Sequence, residues 1–209
     1  MMMNIPNKKI QILCLGDSIT HGYGLVDRTN ECYPAVLQRM LGDGYIVSNF
    51  GVNATCVRRN SSFPYSTTEE CLIVVESSAD FIIIELGAND IGYLGKNEKD
   101  FDEEFVRDYT DLINGVSADV RIFLTSLTPI YDIAGLSLQA LDYRYERVQS
   151  LIKETARENR LPLIDLFSPL KDKHSLFPDG IHPNAEGARI IAEAVYHALE
   201  MADAAYTDI

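Results

Sequence analysis

Ser18 stands on the turn Gly16-Asp17-Ser18-Ile19-Thr20, directly behind the apolar run Ile10-Gln11-Ile12-Leu13-Cys14-Leu15. Asp179 and His182 lie near the other end of the chain, in Asp179-Gly180-Ile181-His182. A serine hydroxyl is a weak nucleophile until a base takes its proton. Imidazole suits that task because it titrates near neutrality. A carboxylate on the second ring nitrogen sets the tautomer and stabilises the imidazolium as it forms. One loop can present Asp179 and His182 together. These residue types therefore point to a serine hydrolase, provided that the fold carries the two ends of the chain to one place.

The elements that must do so alternate along the sequence. Strand patterns cover residues 10–15, 45–50, 80–86, 120–127 and 162–166. Helix patterns cover residues 33–41, with Val36, Leu37, Met40 and Leu41 inward, and residues 67–77. Phe101, Phe105, Tyr109, Leu112 and Val116 recur at helical spacing, as do Leu141, Tyr145, Val148, Ile152 and Ala156. Asn184 reads as the cap of a last helix with Ala188, Ile191, Val195 and Leu199 inward. Strands joined by helices lie parallel, with helices on both faces. The expected fold is α/β: a three-layer α/β/α sandwich with a five-stranded parallel sheet, flavodoxin-like. A single domain is expected over residues 1–209, with tails at 1–9 and 203–209. Ligands of such sheets bind beyond the carboxyl ends of the strands. That rim should carry Ser18 after the first strand, Gly51 and Asn53 after the second, Asn89 and Asp90 after the third, and Asp179 and His182 after the fifth.

Composition narrows the partners. Hydrophobic residues make up 46% and charged residues 23% of the 209, an ordinary globular balance. The net charge of −13 disfavours nucleic acid and anionic membrane surfaces. Cys14, Cys32, Cys56 and Cys71 show no C-x-x-C spacing, so neither a metal site nor a disulfide is expected. No cofactor is implied. The first nine residues hold no apolar leader core and no apolar run reaches membrane-spanning length, so the chain reads as soluble and cytoplasmic. Oligomeric state is not encoded in any pattern visible here.

Gly16-Asp17-Ser18, Asn49-Phe50-Gly51, Gly87-Ala88-Asn89-Asp90 and Asp179-Gly180-Ile181-His182-Pro183, in this order, resemble the four blocks of the SGNH (GDSL-type) hydrolases. The resemblance implies Ser18 as nucleophile, His182 as general base and Asp179 as its orienting group. It implies an oxyanion hole from the Ser18 amide, the Gly51 amide and the Asn89 side chain. Pro64-Tyr65, Leu161-Pro162-Leu163-Ile164-Asp165-Leu166 and the stretch around Phe177-Pro178-Asp179 are similar to bacterial sialate or carbohydrate O-acetylesterases. That likeness implies an ester of a short acyl group, acetyl foremost, on a carbohydrate. The third block departs from it, with Ala88 where many relatives carry Thr and Asp90-Ile91-Gly92-Tyr93 where Ser-Lys would follow. Two other functions compete: a lysophospholipase or thioesterase with a longer acyl slot, and a sugar- or acyl-binding module without catalysis.

Several residues have a structural reading beside the functional one. Asp17 can pin its turn by accepting backbone N–H bonds, or contact substrate. Asn53 is a turn residue or a wall of the site. Tyr93, Tyr23, Phe63, Tyr65 and Tyr131 can stack on a sugar or cap the core. Arg58-Arg59 can bind a sugar carboxylate, although a solvated pair is the plainer reading. His21, His174 and His197 read as ordinary surface or helix residues. A dinucleotide fingerprint fails because Asp27 occupies its third glycine position, and a lipase elbow fails because Thr20 replaces its last glycine. With His182 as base, the rate falls below about pH 6 as imidazole gains a proton. A pH profile of initial rates on a chromogenic acetate checks this; a flat profile between about pH 5 and 8 contradicts it.

Overall fold

The sheet is built from β-branched and aliphatic runs, and the helices between them carry one apolar face each. The computed structural model describes residues 8–94, 98–116 and 120–207. Strand β1 (Ile10–Gly16) leads through the short helices α1 (Ser18–His21) and α2 (Arg28–Glu31) into α3 (Tyr33–Leu41). Then follow β2 (Tyr45–Gly51), α4 (Glu69–Glu76), β3 (Phe81–Glu85), α5 (Glu98–Gly115) and β4 (Arg121–Thr125). The chain ends with α6 (Leu138–Glu158), β5 (Leu163–Ile164) and α7 (Ala185–Thr207). All five strands are parallel, in the order β2-β1-β3-β4-β5.

Successive side chains of a strand point to opposite faces, so β1 and β3 each feed two cores. Leu13, Leu15, Ile82 and Ile84 pack under Phe105 and Tyr109 of α5 and Val148 and Ile152 of α6. Ile12, Cys14, Phe81 and Ile83 pack under Leu37 of α3 and Ile191, Val195 and Leu199 of α7. Both faces of β3 are covered, which explains its unbroken Phe-Ile-Ile-Ile run. The four cysteines are buried thiols. No helix among the described residues is long and apolar enough to cross a membrane.

The departures from the sequence expectation have local causes. Residues 65–67 form a 3-10 turn, and α4 starts only after Thr68, whose hydroxyl accepts the Cys71 amide at 3.1 Å. Strand β5 has two residues rather than the five expected. Past Ile164 the Ser126 hydroxyl takes over as acceptor for the amides of Leu166 and Phe167, at 2.8 and 3.2 Å, and the ladder ends. In α3 the buried positions are Tyr33, Pro34 and Leu37, while Val36, Met40 and Leu41 are half-buried. The backbone of residues 203–207, expected as a tail, continues α7. Residues 1–7, 208 and 209 of the expected tails lie outside the described residues.

The parallel order has one consequence for the site. From β1 the chain crosses to β2 on one side, then returns past β1 to β3 on the other. That reversal opens a crevice at the carboxyl end of β1, directly above Ser18. Helix α1 closes its floor by lying against the end of β2, where a Cβ on Gly51 would sit 2.2 Å from the His21 backbone nitrogen. Gly51→Ala should therefore cost roughly 1–3 kcal/mol of stability. A melting temperature lowered by several degrees is the expected reading, and an unchanged one contradicts this packing.

Candidate active site

The nucleophile turn is made by Asp17. It caps α1 with non-helical backbone angles, and its Oδ1 accepts the Ile19 amide at 2.9 Å. The chain thus passes from strand to helix across one residue, and Ser18 becomes the first residue of α1. Its amide is one of the donors that a helix start leaves without an intrahelical acceptor. Ser18 is only 8% exposed.

Ser18 Oγ lies 2.9 Å from His182 Nε2, although the two residues are 164 positions apart. His182 Nδ1 lies 2.6 Å from Asp179 Oδ2. An anionic Asp179 can only accept there, so Nδ1 carries the hydrogen and Nε2 is left bare toward the serine. The other oxygen, Asp179 Oδ1, accepts the amides of Ile181 and His182 at 3.0 and 2.7 Å. One carboxylate thereby shapes the loop and holds the ring. Partial burial works to raise its pKa, but the two amides and the His182 ring together hold it below the usual carboxylate range. The loop is braced from outside. The Tyr131 amide donates to the Gly180 carbonyl at 2.7 Å, and the Tyr131 ring packs on His174 and Phe177. Gly180 holds φ at 83°, and a Cβ there would sit 2.9 Å from Asp132, so the close approach needs glycine. Asn184 caps α7 by accepting the Gly187 amide at 3.0 Å.

Asn89 also reaches the turn. Its Nδ2 donates to Asp17 Oδ2 at 3.2 Å and to the Thr55 carbonyl at 3.0 Å. Gly51 gives its amide to Asn49 Oδ1 at 2.9 Å, so that donor is engaged within the protein. Asn53 is exposed beside Val52 and Ala54 on the loop after β2. Tyr93 is 41% exposed, and its hydroxyl accepts the Ser62 amide at 3.2 Å, tying the loop after β3 to the loop after β2. Asp17, expected as a possible substrate contact, has no exposed surface. It is corrected to a turn-forming residue, because no substrate atom can reach a sealed carboxylate.

The arginine pair divides: Arg59 is exposed, as the plainer sequence reading had it, and Arg58 is not. Arg58 is buried, pairs with Glu104 of α5 and lies over the Phe101 ring. Arg59 pairs with Asp111 at 2.8 Å, and its amide donates to Asp108. Together they moor the loop after β2 to α5. Tyr65 is buried, with its hydroxyl on the Phe50 carbonyl at 2.8 Å. Tyr23, by contrast, is 51% exposed and lies against the His182 ring, with centroids 4.6 Å apart.

Three contributors were not singled out in the sequence. Asn49 Nδ2 donates to the Thr20 carbonyl at 2.8 Å and so clamps α1 to β2. The Thr20 hydroxyl donates to Glu85 Oε2 at 3.2 Å and meets the Tyr33 hydroxyl at 3.3 Å. Glu85 itself is buried at the end of β3. A signal for it existed: an ionisable residue closing a strand that is otherwise wholly apolar needs a specific partner. Among the described residues no group of three His, Cys, Asp or Glu is placed to hold a metal ion.

Known proteins resemble this chain in sequence and in fold. Over 95% of its length the chain is 29% identical to an acetylxylan esterase of Xylanibacter ruminicola, and it spans 45% of that protein. A carbohydrate acetylesterase, Est24, from Sinorhizobium meliloti shares the fold with a TM-score of 0.74 at 18% identity, covering 92% of this chain and 99% of that one. An aryl esterase of M. smegmatis does so with a TM-score of 0.71 at 19% identity, covering 92% and 99%. The profile of the GDSL-like Lipase/Acylhydrolase family matches residues 14–190, and the chain belongs to that family.

Proposed function

We propose that the chain is a serine esterase that removes short acyl groups, acetyl foremost, from a carbohydrate. The observation that carries this reading is the unbroken relay from Ser18 Oγ to His182 Nε2 at 2.9 Å and from His182 Nδ1 to Asp179 Oδ2 at 2.6 Å. In the proposed reaction His182 takes the Ser18 proton as Oγ attacks the ester carbonyl. The tetrahedral oxyanion rests on the Ser18 amide and on Asn89 Nδ2, which keeps one N–H on Thr55 and turns the other from Asp17 toward the new charge. Gly51 shapes this hole from behind by letting α1 close on β2. The imidazolium then gives its proton to the leaving alcohol, and the acyl group stays on Ser18. A water deprotonated by His182 releases the acid and restores the serine.

Two features support a carbohydrate alcohol. Tyr23 presents a half-exposed ring beside His182, where a sugar face can stack. Two of the three proteins named above are, by their names, esterases of acetylated xylan or another carbohydrate, and the third is an aryl esterase. The space a longer acyl chain would have to use is a cavity of about 190 Å³, lined by Ile130, Tyr131, Tyr145 and Phe167 but also by the charged Asp142, Glu146, Lys171 and Asp172. It adjoins the His182 loop through the bond from Tyr131 to Gly180. A rate falling sharply beyond acetyl or propionyl esters decides for the deacetylase, and a rate rising toward octanoyl decides for the longer slot.

Ser18→Ala should abolish turnover of a chromogenic acetate and labelling by a fluorophosphonate; equal rates in the two proteins would end the proposal. Asp179→Asn should lower kcat on the order of 10⁴-fold with the fold intact by circular dichroism, because the ring is then held in the wrong tautomer. Asn89→Ala should lower kcat by roughly 10²- to 10³-fold while KM changes little, since its bond to the oxyanion exists only in the transition state. Release of free acetate from a set of acetylated sugars, sialic acid included, identifies the alcohol.

A further inference from the structure

Three carboxyls, Asp17, Glu85 and Asp90, are completely or almost completely buried beneath the Ser18 turn. Asp90 is fully supplied: its oxygens accept the amides of Val57 and Arg58 at 2.9 and 3.2 Å, and the Arg58 charge is nearby. Asp17 is supplied on both oxygens too, by the Ile19 amide and by Asn89 Nδ2. Glu85 is not. Its Oε2 accepts the Thr20 hydroxyl, but Oε1 is sealed from solvent and makes no hydrogen bond. The Asp17 carboxyl lies beside it, near enough for each charge to act on the other. Two ionised carboxylates in contact repel, and a buried oxygen without a partner is costly. A single proton on Glu85 removes both problems, whereas a proton on Asp17 would cost it an acceptor that Ile19 or Asn89 uses.

We propose that Glu85 keeps its proton in the folded protein and donates it from Oε1 to Asp17, acting as a positioning residue for the Ser18 turn and for Asn89. Asp17 then accepts from three directions: the start of α1, the side chain of Asn89, and Glu85. The surroundings suit this arrangement. The Tyr33 hydroxyl from α3, the Tyr109 hydroxyl from α5 and the Cys56 thiol face the pair as neutral groups. The other ionisable groups alongside are Asp90, whose carboxyl burial pushes up to about 7 against the pull of two amides and Arg58, and Arg58 itself, which pairs with Glu104. Burial first, and the neighbouring Asp17 second, push the Glu85 carboxyl well above the usual range.

The test does not depend on turnover. An unfolded glutamate loses its proton near pH 4.3, so at neutral pH the native state holds one proton more than the unfolded chain, and wild-type stability falls as pH rises. Glu85→Gln keeps an N–H for Asp17 and a carbonyl for Thr20 but has no proton to retain. The ratio of its folding equilibrium constant to that of wild type should rise about tenfold per pH unit between roughly pH 5.5 and 7.5. A ratio independent of pH overturns the proposal. Infrared spectra of the wild type at about pH 8 should show the carbonyl stretch of a protonated carboxylic acid, absent from E85Q. Its absence from the wild type overturns the proposal even if the variant fails to fold. Because the proposed role rests on Ser18 as nucleophile, kinetics add a third reading. Glu85→Ala should lower kcat about 100-fold through misplacement of the turn, and E85Q should keep most of the rate. Equal losses in the two variants overturn the positioning role, while the spectra and the stability ratio stand whether or not Ser18 reacts.

Discussion

The carboxylate of Asp17 is the point on which the site is built. It caps α1 through the Ile19 amide and so forces the turn that exposes Ser18 at a helix start. It also holds Asn89, which arrives from a different strand. Burial pushes the Asp17 carboxyl up to about 7, and ionising it there is costly unless its lone pairs are used. The neighbouring polar groups are arranged to meet that demand. Thr20 points its hydroxyl at Glu85, and Tyr33 meets Thr20 from the far side. The loop after β2 supplies Thr55 to Asn89 and two amides to Asp90.

The base side of the site is organised differently. Asp179 and His182 belong to one short loop, and the same carboxylate holds the ring and two loop amides. This half is largely self-contained, and it is the more exposed half, with the Asp179 side chain 48% accessible. The nucleophile half is the reverse, drawn from three strand ends and almost wholly buried. Docking the two halves takes only that α7 pack on the same face as α3, which brings the loop before α7 over the Ser18 turn.

The loop after β2 illustrates how charge is spent on placement rather than on ligand binding. In a chain with net charge −13, a pair of adjacent arginines invites a reading as an anion site. The carboxylates that meet them are the protein's own, Glu104, Asp108 and Asp111 of α5. Arg58 goes further and buries its guanidinium over Phe101. The loop is thereby fixed at a distance from the site that lets Thr55 hold Asn89.

The sequence by itself determined the layered α/β architecture, because period-2 and period-3.6 apolar patterns report which faces are buried irrespective of partners. It also pointed to Ser18, Asp179, His182 and Asn89, because their types and their positions after strands constrain chemistry. Helix faces such as Ala188, Ile191, Val195 and Leu199 were legible for the same reason. What the tertiary structure alone decided is how each polar group is used. Gly51 was legible as a glycine that permits close approach, but only the contact with His21 and the bond to Asn49 show what approaches it. The length of β5 depended on a competing acceptor, Ser126, just past the end of β4. Glu85 and the two arginines drew their meaning from partners 65, 46 and 52 positions away. Hydrogen bonding and burial are properties of neighbours in space, and no local pattern in the chain records them.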